Sequence, residues 1–321
     1  MKKLLPAAQV GVTTAVLLAV LRHVDARAAA SALAHASPLW VLLALAMNVV
    51  AVSASTALWR SLMLDTMRPY RSLWRAYVVG MFYNNLGLGT VLGDAYRYAH
   101  LSRSGDDRPA AAVSVLGERV VSGCVLVGFA ALGSLYFAAS RPVLPAAIWL
   151  IVVVCATCTA IGWRSVPAAS RVLPLPAVVA SPLASTWHAV RALAARPRAL
   201  AAGVGWACCV QMCTVLAALF VLRSLGVALT PLAVFAVVPL IALAVLAPVS
   251  IQGIGVREVT YVTLFGYVGV SHDQALAAAL LSYVTTLALT LFGALFALSS
   301  VRRTAPVQRP AEAGEPAGVV V

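Results

Sequence analysis

Charged side chains are scarce in this 321-residue chain: Asp, Glu, Lys and Arg make up 10% of it, and hydrophobic residues 62%. Soluble globular domains carry about 25% charged residues, and the mean hydropathy of +0.95 also lies well above what such domains show. The composition therefore excludes a soluble globular domain. It predicts an all-α, polytopic integral membrane protein, because membrane-spanning helices need long apolar stretches.

The chain also lacks a complete metal site and a disulfide framework. Its six cysteines lie in apolar stretches, and Cys155 and Cys158, at Cys-x-x-Cys spacing, have no second pair or nearby His. We therefore expect no metal and no cofactor. The net charge of +13 would suit nucleic acid, but the arginines lie in short loops between apolar stretches. That placement is typical of cytoplasmic loops, so we expect no nucleic-acid partner.

Uncharged stretches predict about six full membrane crossings with both termini in the cytoplasm. A signal peptide is the alternative for the first stretch, but a first transmembrane helix gives the later crossings their starting orientation. Arginine-rich loops at 60–75 and 164–198 are expected to be cytoplasmic. Residues 1–303 form the predicted membrane domain, and the Pro-, Glu- and Gly-rich residues 304–321 a disordered cytoplasmic tail. The predicted crossings are 4–21, 38–59, a span that begins near Pro109 and is fully uncharged over 120–140, 142–163, 199–222 and 274–301.

Two further uncharged stretches are broken. Residues 224–256 exceed the roughly 20 residues of one crossing, and they are interrupted near Pro248, Gly253 and Gly255 just before Arg257 and Glu258. The uncharged piece that follows, 259–271, would rise only about 20 Å as a helix, against a hydrocarbon core of about 30 Å. This pattern predicts a re-entrant helical hairpin rather than a crossing.

The second broken stretch covers residues 76–93. Its apolar piece 76–83 would form only about 12 Å of helix before a break that contains Asn85, Gly87 and Gly89 and continues to Gly93. We interpret it as a second re-entrant hairpin, which enters from the cytoplasm. With their flanking crossings, the two hairpins predict an inverted repeat, an arrangement of secondary transporters.

Each break opens a new helix immediately before charged residues. Ionisable side chains at membrane depth are costly and indicate function. A helix N-terminus together with arginine side chains suits an anionic group such as phosphate. The predicted substrate-binding residues are Arg97, Arg119 and Arg257, and the predicted charge-balancing or proton-coupling residues are Asp94, Glu118 and Glu258.

Structural roles for the same residues stay open at this point. Asp94 and Glu258 could cap their helices. Arg97 could extend to the membrane interface, as could Arg257. Glu118 and its neighbour in the chain could form an interfacial ion pair at the end of a crossing.

The segments 85–97, 117–121 and 248–258 resemble the lysylphosphatidylglycerol synthase transmembrane-region family, also called flippase-like. The resemblance covers most of the chain, from the second crossing to residue 301. It implies a bacterial or archaeal cytoplasmic membrane protein with re-entrant helices and a role in moving lipids between leaflets. Members commonly carry a proline near the first break, where this chain has Asn84 and Asn85.

Bifunctional members of that family also carry a large soluble aminoacyl-transferase domain, whereas only residues 302–321 follow the membrane part here. We therefore expect a translocase that moves an anionic lipid or a lipid-linked carrier, and not an enzyme. One alternative is a membrane-embedded transferase for polyprenyl-linked substrates, with Asp94 or Glu258 as its base. Another is an accessory subunit of a lipid-modifying enzyme.

Overall fold

A computed structural model describes residues 31, 33–64, 68–86, 91–103, 108–143, 145–150, 153, 188–246 and 253–303. Within these residues the chain is helical and contains no β-strand. Its named α-helices are α1 (Pro38–Ser61), α2 (Tyr70–Leu86), α3 (Val91–Arg103), α4 (Arg108–Ser134), α5 (Pro197–Ser224), α6 (Pro231–Leu246), α7 (Val256–Gly266) and α8 (His272–Arg303).

Four of these helices are long and apolar enough to cross a membrane: α1, α4 with its 3₁₀ extension to Phe137, α5 and α8. Their apolar portions contain 24, 30, 28 and 25 residues, and one crossing needs about 20. They overlap the predicted crossings 38–59, 199–222 and 274–301 and the crossing predicted to begin near Pro109. The predicted crossing 4–21 and most of 142–163 lie outside the described residues. The protein is a multi-pass helical membrane protein.

The helices α1 and α5 form an antiparallel pair. At one end, the N–H of Ser37 donates to the carbonyl of Ser224, at an N–O distance of 2.9 Å. At the other end, the guanidinium of Arg196 donates to the carbonyl of Leu64, at 3.1 Å. The start of each helix is thus fastened to the end of the other, and this pair is the central support of the fold.

The four shorter helices form two helical pairs that lie beside this support. We call α2 and α3 the first hairpin and α6 and α7 the second hairpin. The first hairpin follows the end of α1, and the second follows the end of α5. Because α1 and α5 are antiparallel, the two hairpins begin at opposite ends of the central pair.

Contacts between helices repeat when α1–α4 are exchanged with α5–α8. The helix α2 packs on α8 as α6 packs on α4, and α3 packs on α4 as α7 packs on α8. The contact of α1 with α2 likewise corresponds to that of α5 with α6. The helix α1 corresponds to α5 in this exchange. Because these two helices are antiparallel, the two halves run in opposite directions.

A glycine allows the close crossing of each hairpin with the opposite half. A Cβ on Gly133 of α4 would overlap the backbone of Ala236 in α6. A Cβ on Gly293 of α8 would overlap the carbonyl of Val78 in α2. Small residues commonly let membrane helices approach in this way.

The first hairpin begins earlier than the sequence predicts. The helix α2 runs from Tyr70 to Leu86, so the predicted end of the loop at residue 75 and the predicted length of the helical piece, 76–83, were wrong. The early turns are held by contacts with other helices: the Tyr70 hydroxyl donates to the carbonyl of Ser53 at 2.6 Å. The Arg75 guanidinium also stacks on the Phe296 ring, with Cζ 5.6 Å from the ring centre. These tertiary contacts extend α2 towards its N-terminus into a charged segment, which is why composition alone begins the helix too late.

Each predicted break contains an interval between two helices, but Asn85 and Gly93, which were predicted as break residues, lie inside α2 and α3. In the first hairpin, α2 ends at Leu86 and α3 begins at Val91, and Gly87 and Gly89 between them lie outside the described residues. In the second hairpin, α6 ends at Leu246, and Pro248 lies outside the described residues.

Glycine is required just before the helix α7. Gly253 and Gly255 have φ angles of 74° and 86°. Side chains with a Cβ rarely adopt such values. The chain therefore turns into α7 at two positions that favour glycine.

Candidate anion-binding cavity

A cavity of about 410 Å³ lies between the hairpins and the central helix pair. Asn48 and Thr214, which line it, come from the interior of α1 and α5, so the cavity is at mid-depth of the bundle. The three predicted substrate-binding arginines, Arg97, Arg119 and Arg257, all line it. Residues far apart in the sequence, from both halves, therefore meet at one site.

Arg97 is the most deeply buried of these arginines, with 3% of its surface exposed. Its Nη1 donates to the Glu118 carboxylate at 2.8 Å and lies 3.4 Å from Asp94. Its Cζ also lies 4.2 Å from the centre of the Trp59 ring and 4.6 Å from that of Tyr77. An ion pair and two aromatic faces thus hold the buried cation.

The other guanidinium nitrogens of Arg97, Nε and Nη2, are buried without a hydrogen-bond partner among the described residues. A buried donor left without a partner costs about 1–3 kcal/mol, and more when the group is charged. An anion in the adjoining cavity would satisfy these donors. This deficit is the feature of the site that most directly indicates a ligand. It also disfavours the alternative that Arg97 extends to the membrane interface.

Glu118 and Arg119 each pair with the first hairpin instead of with each other. The Glu118 carboxylate is 2% exposed and accepts hydrogen bonds from Arg97 and from the Tyr77 hydroxyl, the latter at 3.3 Å. Arg119 donates its Nε and Nη2 to the two Asp94 oxygens, at 3.0 and 2.8 Å. The alternative of an interfacial Glu118–Arg119 pair was wrong, because both side chains turn towards α3.

The start of α3 is tied to the end of α2 by Asn84. Its Oδ1 accepts a hydrogen bond from the Gly93 N–H at 2.7 Å. A Cβ on Gly93 would overlap the Gly80 carbonyl and the Asn84 side chain, so this position admits only glycine without a shift of the backbone. Asn85, the predicted break residue, donates to the carbonyl of Met81 at 3.3 Å and lines the cavity.

The second hairpin contributes charge in a different way. Arg257 lies in the first turn of α7, and its Cζ is 5.0 Å from the centre of the Tyr283 ring. No carboxylate of the described residues lies within 4 Å of its guanidinium. Glu258 is 6% exposed and accepts a hydrogen bond from the Gly255 N–H. Glu258 thus makes the helix-capping contact that was one of the two roles considered for it. Arg257 lines the cavity, and its positive charge has no carboxylate partner among the described residues.

The sequence model of the lysylphosphatidylglycerol synthase TM region matches residues 7–293. The chain belongs to the lysylphosphatidylglycerol synthase TM-region family. No curated protein matches the chain. Membership of this family indicates a role connected with membrane lipids. The match also confirms the resemblance that was based on the two breaks and on residues 117–121.

In this lysylphosphatidylglycerol synthase TM-region protein, a second cavity of about 270 Å³ adjoins the larger one. Both are lined by Asn48, Thr214, Arg257 and Thr286. The smaller cavity is also bordered by Tyr261, whose hydroxyl donates to the Ser282 hydroxyl at 3.2 Å. Sequence reasoning missed these neutral polar residues, because Ser and Thr are ordinary in membrane helices, where they bond to their own backbone.

Proposed function

We propose that this protein moves an anionic lipid, a phospholipid or a lipid-linked carrier, between the leaflets of a prokaryotic cytoplasmic membrane. The observation that carries the proposal is the buried Arg97, which lines the cavity and whose Nε and Nη2 donors have no partner among the described residues. Arginine donors match phosphate oxygens in geometry and charge. A phosphate head group would supply the missing acceptors.

The charges around the cavity favour an anion. Arg97 is paired with Glu118, and Arg119 with Asp94. Arg257 has no carboxylate partner among the described residues, so the side chains that line the cavity leave one positive charge without a counterion. A charge held at mid-depth in a membrane is costly unless it serves a ligand or a transport path.

The hairpin lengths support a re-entrant topology. The helices α3 and α7 contain 13 and 11 residues, which correspond to about 20 and 17 Å at 1.5 Å per residue. Neither length reaches across a hydrocarbon core of about 30 Å. Hairpins that enter from opposite faces would both reach a cavity at mid-depth, as inverted-repeat transporters arrange their sites.

Arginines give the orientation that we propose. They concentrate at the end of the bundle where α1 finishes and the first hairpin begins. By the positive-inside rule this end is cytoplasmic, which places both termini in the cytoplasm if six crossings are present. The arginines at that end include Arg60, Arg68, Arg71, Arg75, Arg196 and Arg198.

The geometry supports a translocase better than a transferase. A transferase would use Asp94 or Glu258 as its base. The Asp94 carboxylate is held by Arg119 and Arg97, and the Glu258 carboxylate by the Gly255 N–H. A base that is engaged in this way is poorly placed to take a proton from a substrate.

Transport in proteoliposomes tests the proposal. The vesicles contain the purified protein and an anionic phospholipid with a fluorophore on its acyl chain, and a membrane-impermeant quencher reports the movement of the lipid. We expect Arg257→Ala to slow movement about tenfold or more, because a charge-assisted hydrogen bond to the head group is lost. The matched control is Arg223→Ala, which removes an arginine at the end of α5 that bonds to the Leu229 carbonyl.

Wild-type vesicles that move no anionic lipid would overturn the proposed function. Equal rates for Arg257→Ala and wild type would remove this arginine from the transport path. Equal slowing by Arg257→Ala and Arg223→Ala would show that the effect does not depend on the cavity.

A further inference from the structure

The two central helices end in the same three residues. Residues 60–62 stand at the end of α1 and residues 223–225 at the end of α5, and both triplets read Arg-Ser-Leu. In each triplet the serine hydroxyl donates to the carbonyl three residues earlier, at 2.7 Å. The two arginines, Arg60 and Arg223, therefore occupy equivalent positions in the repeat.

These equivalent arginines make different contacts. Arg223 donates its Nη2 to the Leu229 carbonyl at 3.3 Å, which ties the end of α5 to the connection that leads to α6. Arg60 makes no hydrogen bond and no ion pair with any of the described residues. Its guanidinium donors thus remain available for a ligand.

Arg60 lines a surface groove of about 460 Å³. The other lining residues come from three helices: Ala57 and Ser61 of α1, Tyr70 of α2 and Trp206 of α5. None of these residues lines either of the two cavities. The groove is therefore a separate site.

The position of the groove favours a lipid over a soluble ligand. Trp206 is 43% exposed, and its indole N–H has no hydrogen-bond partner among the described residues. It lies about 14 Å along α5 from Pro197, at 1.5 Å per residue, whereas Arg60 lies at the end of the antiparallel α1. Exposed aromatic rings near the end of a crossing pack on acyl chains. An acyl chain along Trp206 places the head group of the same lipid at Arg60.

The charge of the groove favours an anionic head group. Its described lining contains one charged side chain, Arg60, and no carboxylate. The hydroxyls of Ser61 and Tyr70 already donate to carbonyls of α1, so the guanidinium and the indole N–H are the donors that the groove offers. Arginine donors match phosphate oxygens. A zwitterionic lipid would bring an ammonium close to Arg60, where no carboxylate of the lining receives it.

We propose that this groove binds one anionic phospholipid of the leaflet at the arginine-rich end of the bundle. The phosphate accepts hydrogen bonds from Arg60, and an acyl chain packs on Trp206. The inference goes beyond the proposed function, because this lipid stays outside both cavities and is not the one that is moved. Since Tyr70 is the first residue of α2, the bound lipid also contacts the start of the first hairpin and stabilises its contact with α1.

Fluorescence quenching by brominated lipids tests the groove directly. The full-length protein is placed in nanodiscs of phosphatidylcholine and phosphatidylglycerol, with bromine on the acyl chains of one lipid at a time. The part of the quenching that Trp206→Phe abolishes belongs to the groove. We expect phosphatidylglycerol to bind there about fivefold more tightly than phosphatidylcholine, which is the effect of one arginine on an anionic head group.

Charge variants connect this preference to Arg60. Arg60→Gln should abolish the preference, and Arg60→Lys should keep most of it, because lysine retains the charge. Arg198→Gln is the matched control, since it removes an exposed arginine at the same end of the bundle but outside the groove, and it should keep the preference. Amide hydrogen exchange in the first turns of α2 should be slower with phosphatidylglycerol than with phosphatidylcholine, and Arg60→Gln should remove this difference.

Three results would overturn the inference. Equal binding of the two lipids to the wild-type groove would make it an ordinary contact with bulk lipid. Equal loss of the preference in Arg60→Gln and Arg198→Gln would assign it to the general charge of this end. Displacement of brominated phosphatidylglycerol by inorganic phosphate, but not by sodium chloride at equal ionic strength, would indicate a soluble anion. None of these measurements depends on transport, so each result leaves the proposed function untouched.

Discussion

The two hairpins use one scaffold for different chemistry. In the first half, Arg97 of α3 pairs with Glu118 of α4, and in the second half Tyr261 of α7 pairs with Ser282 of α8. Both pairs are separated by 21 residues and join helices that correspond in the repeat. One half thus buries an ion pair where the other holds a half-buried pair of hydroxyls. The comparison shows that the helix contacts of a repeat can be kept while charged residues at matching positions are replaced by neutral ones.

Removal of one partner from each pair is the strongest way to test this difference. We expect Glu118→Ala to lower the free energy of unfolding by about 3–5 kcal/mol, because Arg97 would stay buried without its carboxylate. Ser282→Ala should cost only about 1 kcal/mol, the net value of a neutral hydrogen bond. Thermal and denaturant unfolding in detergent would measure both.

A second variant pair separates charge from packing at Arg97. If burial of an uncompensated charge causes the loss, Arg97→Met together with Glu118→Leu should recover much of the stability that Glu118→Ala removes. Equal losses for Glu118→Ala and Ser282→Ala would contradict the assignment of an ionic and a neutral half.

The entry into α3 offers a test of intermediate size. Gly93→Ala should destabilise the protein by about 1–3 kcal/mol, because its Cβ overlaps the backbone of α2. Gly205→Ala on α5 is the control, since a Cβ there meets nothing within 4 Å, and alanine favours helix. Unfolding in denaturant measures the pair. A Gly93→Ala protein as stable as the control would show that α2 and α3 are not held in close contact.

The smallest expected effect concerns the neutral pair itself. Tyr261→Phe removes the hydroxyl that donates to Ser282, and we expect a loss of about 0.5–1.5 kcal/mol. Tyr77→Phe in the first half is the matched variant, because its hydroxyl donates to the Glu118 carboxylate. Bonds to charged groups contribute more, about 1.5–3 kcal/mol, so the first-half variant should lose more in thermal unfolding. The reverse order would contradict the comparison.

Much of the architecture could be predicted from charge-free stretches alone. Four of the predicted crossings correspond to long helices, and α2, α3, α6 and α7 stop or start at the predicted breaks. These features are local, since the length of an apolar stretch can be counted in the sequence without knowledge of tertiary contacts. The start of α2 was not predicted, because the contacts of Tyr70 and Arg75 with α1 and α8 depend on the assembled fold.

The candidate site was predictable in part for a similar reason. Arg97, Arg119 and Arg257 stand out because charge is rare in membrane segments. The hydrogen bond of Asn84 and the hydroxyl groups that line the smaller cavity do not stand out, since an Asn near a break and a Thr in a helix are common. Their importance depends on residues that fold next to them, such as Gly93 for Asn84. The pairing of Glu118 and Arg119 with α3 depends on tertiary packing in the same way.

Each hairpin packs on the long helix of the opposite half, which carries residues at or beside the cavity. The helix α2 packs on α8, which holds Tyr283 and Thr286, and α6 packs on α4, which holds Glu118 and Arg119. The glycine crossings leave backbone against backbone there, with no compressible side chain between them. A displacement of one hairpin would therefore be transmitted directly to the long helix of the opposite half and to its side chains at the cavity, so the two halves are mechanically coupled.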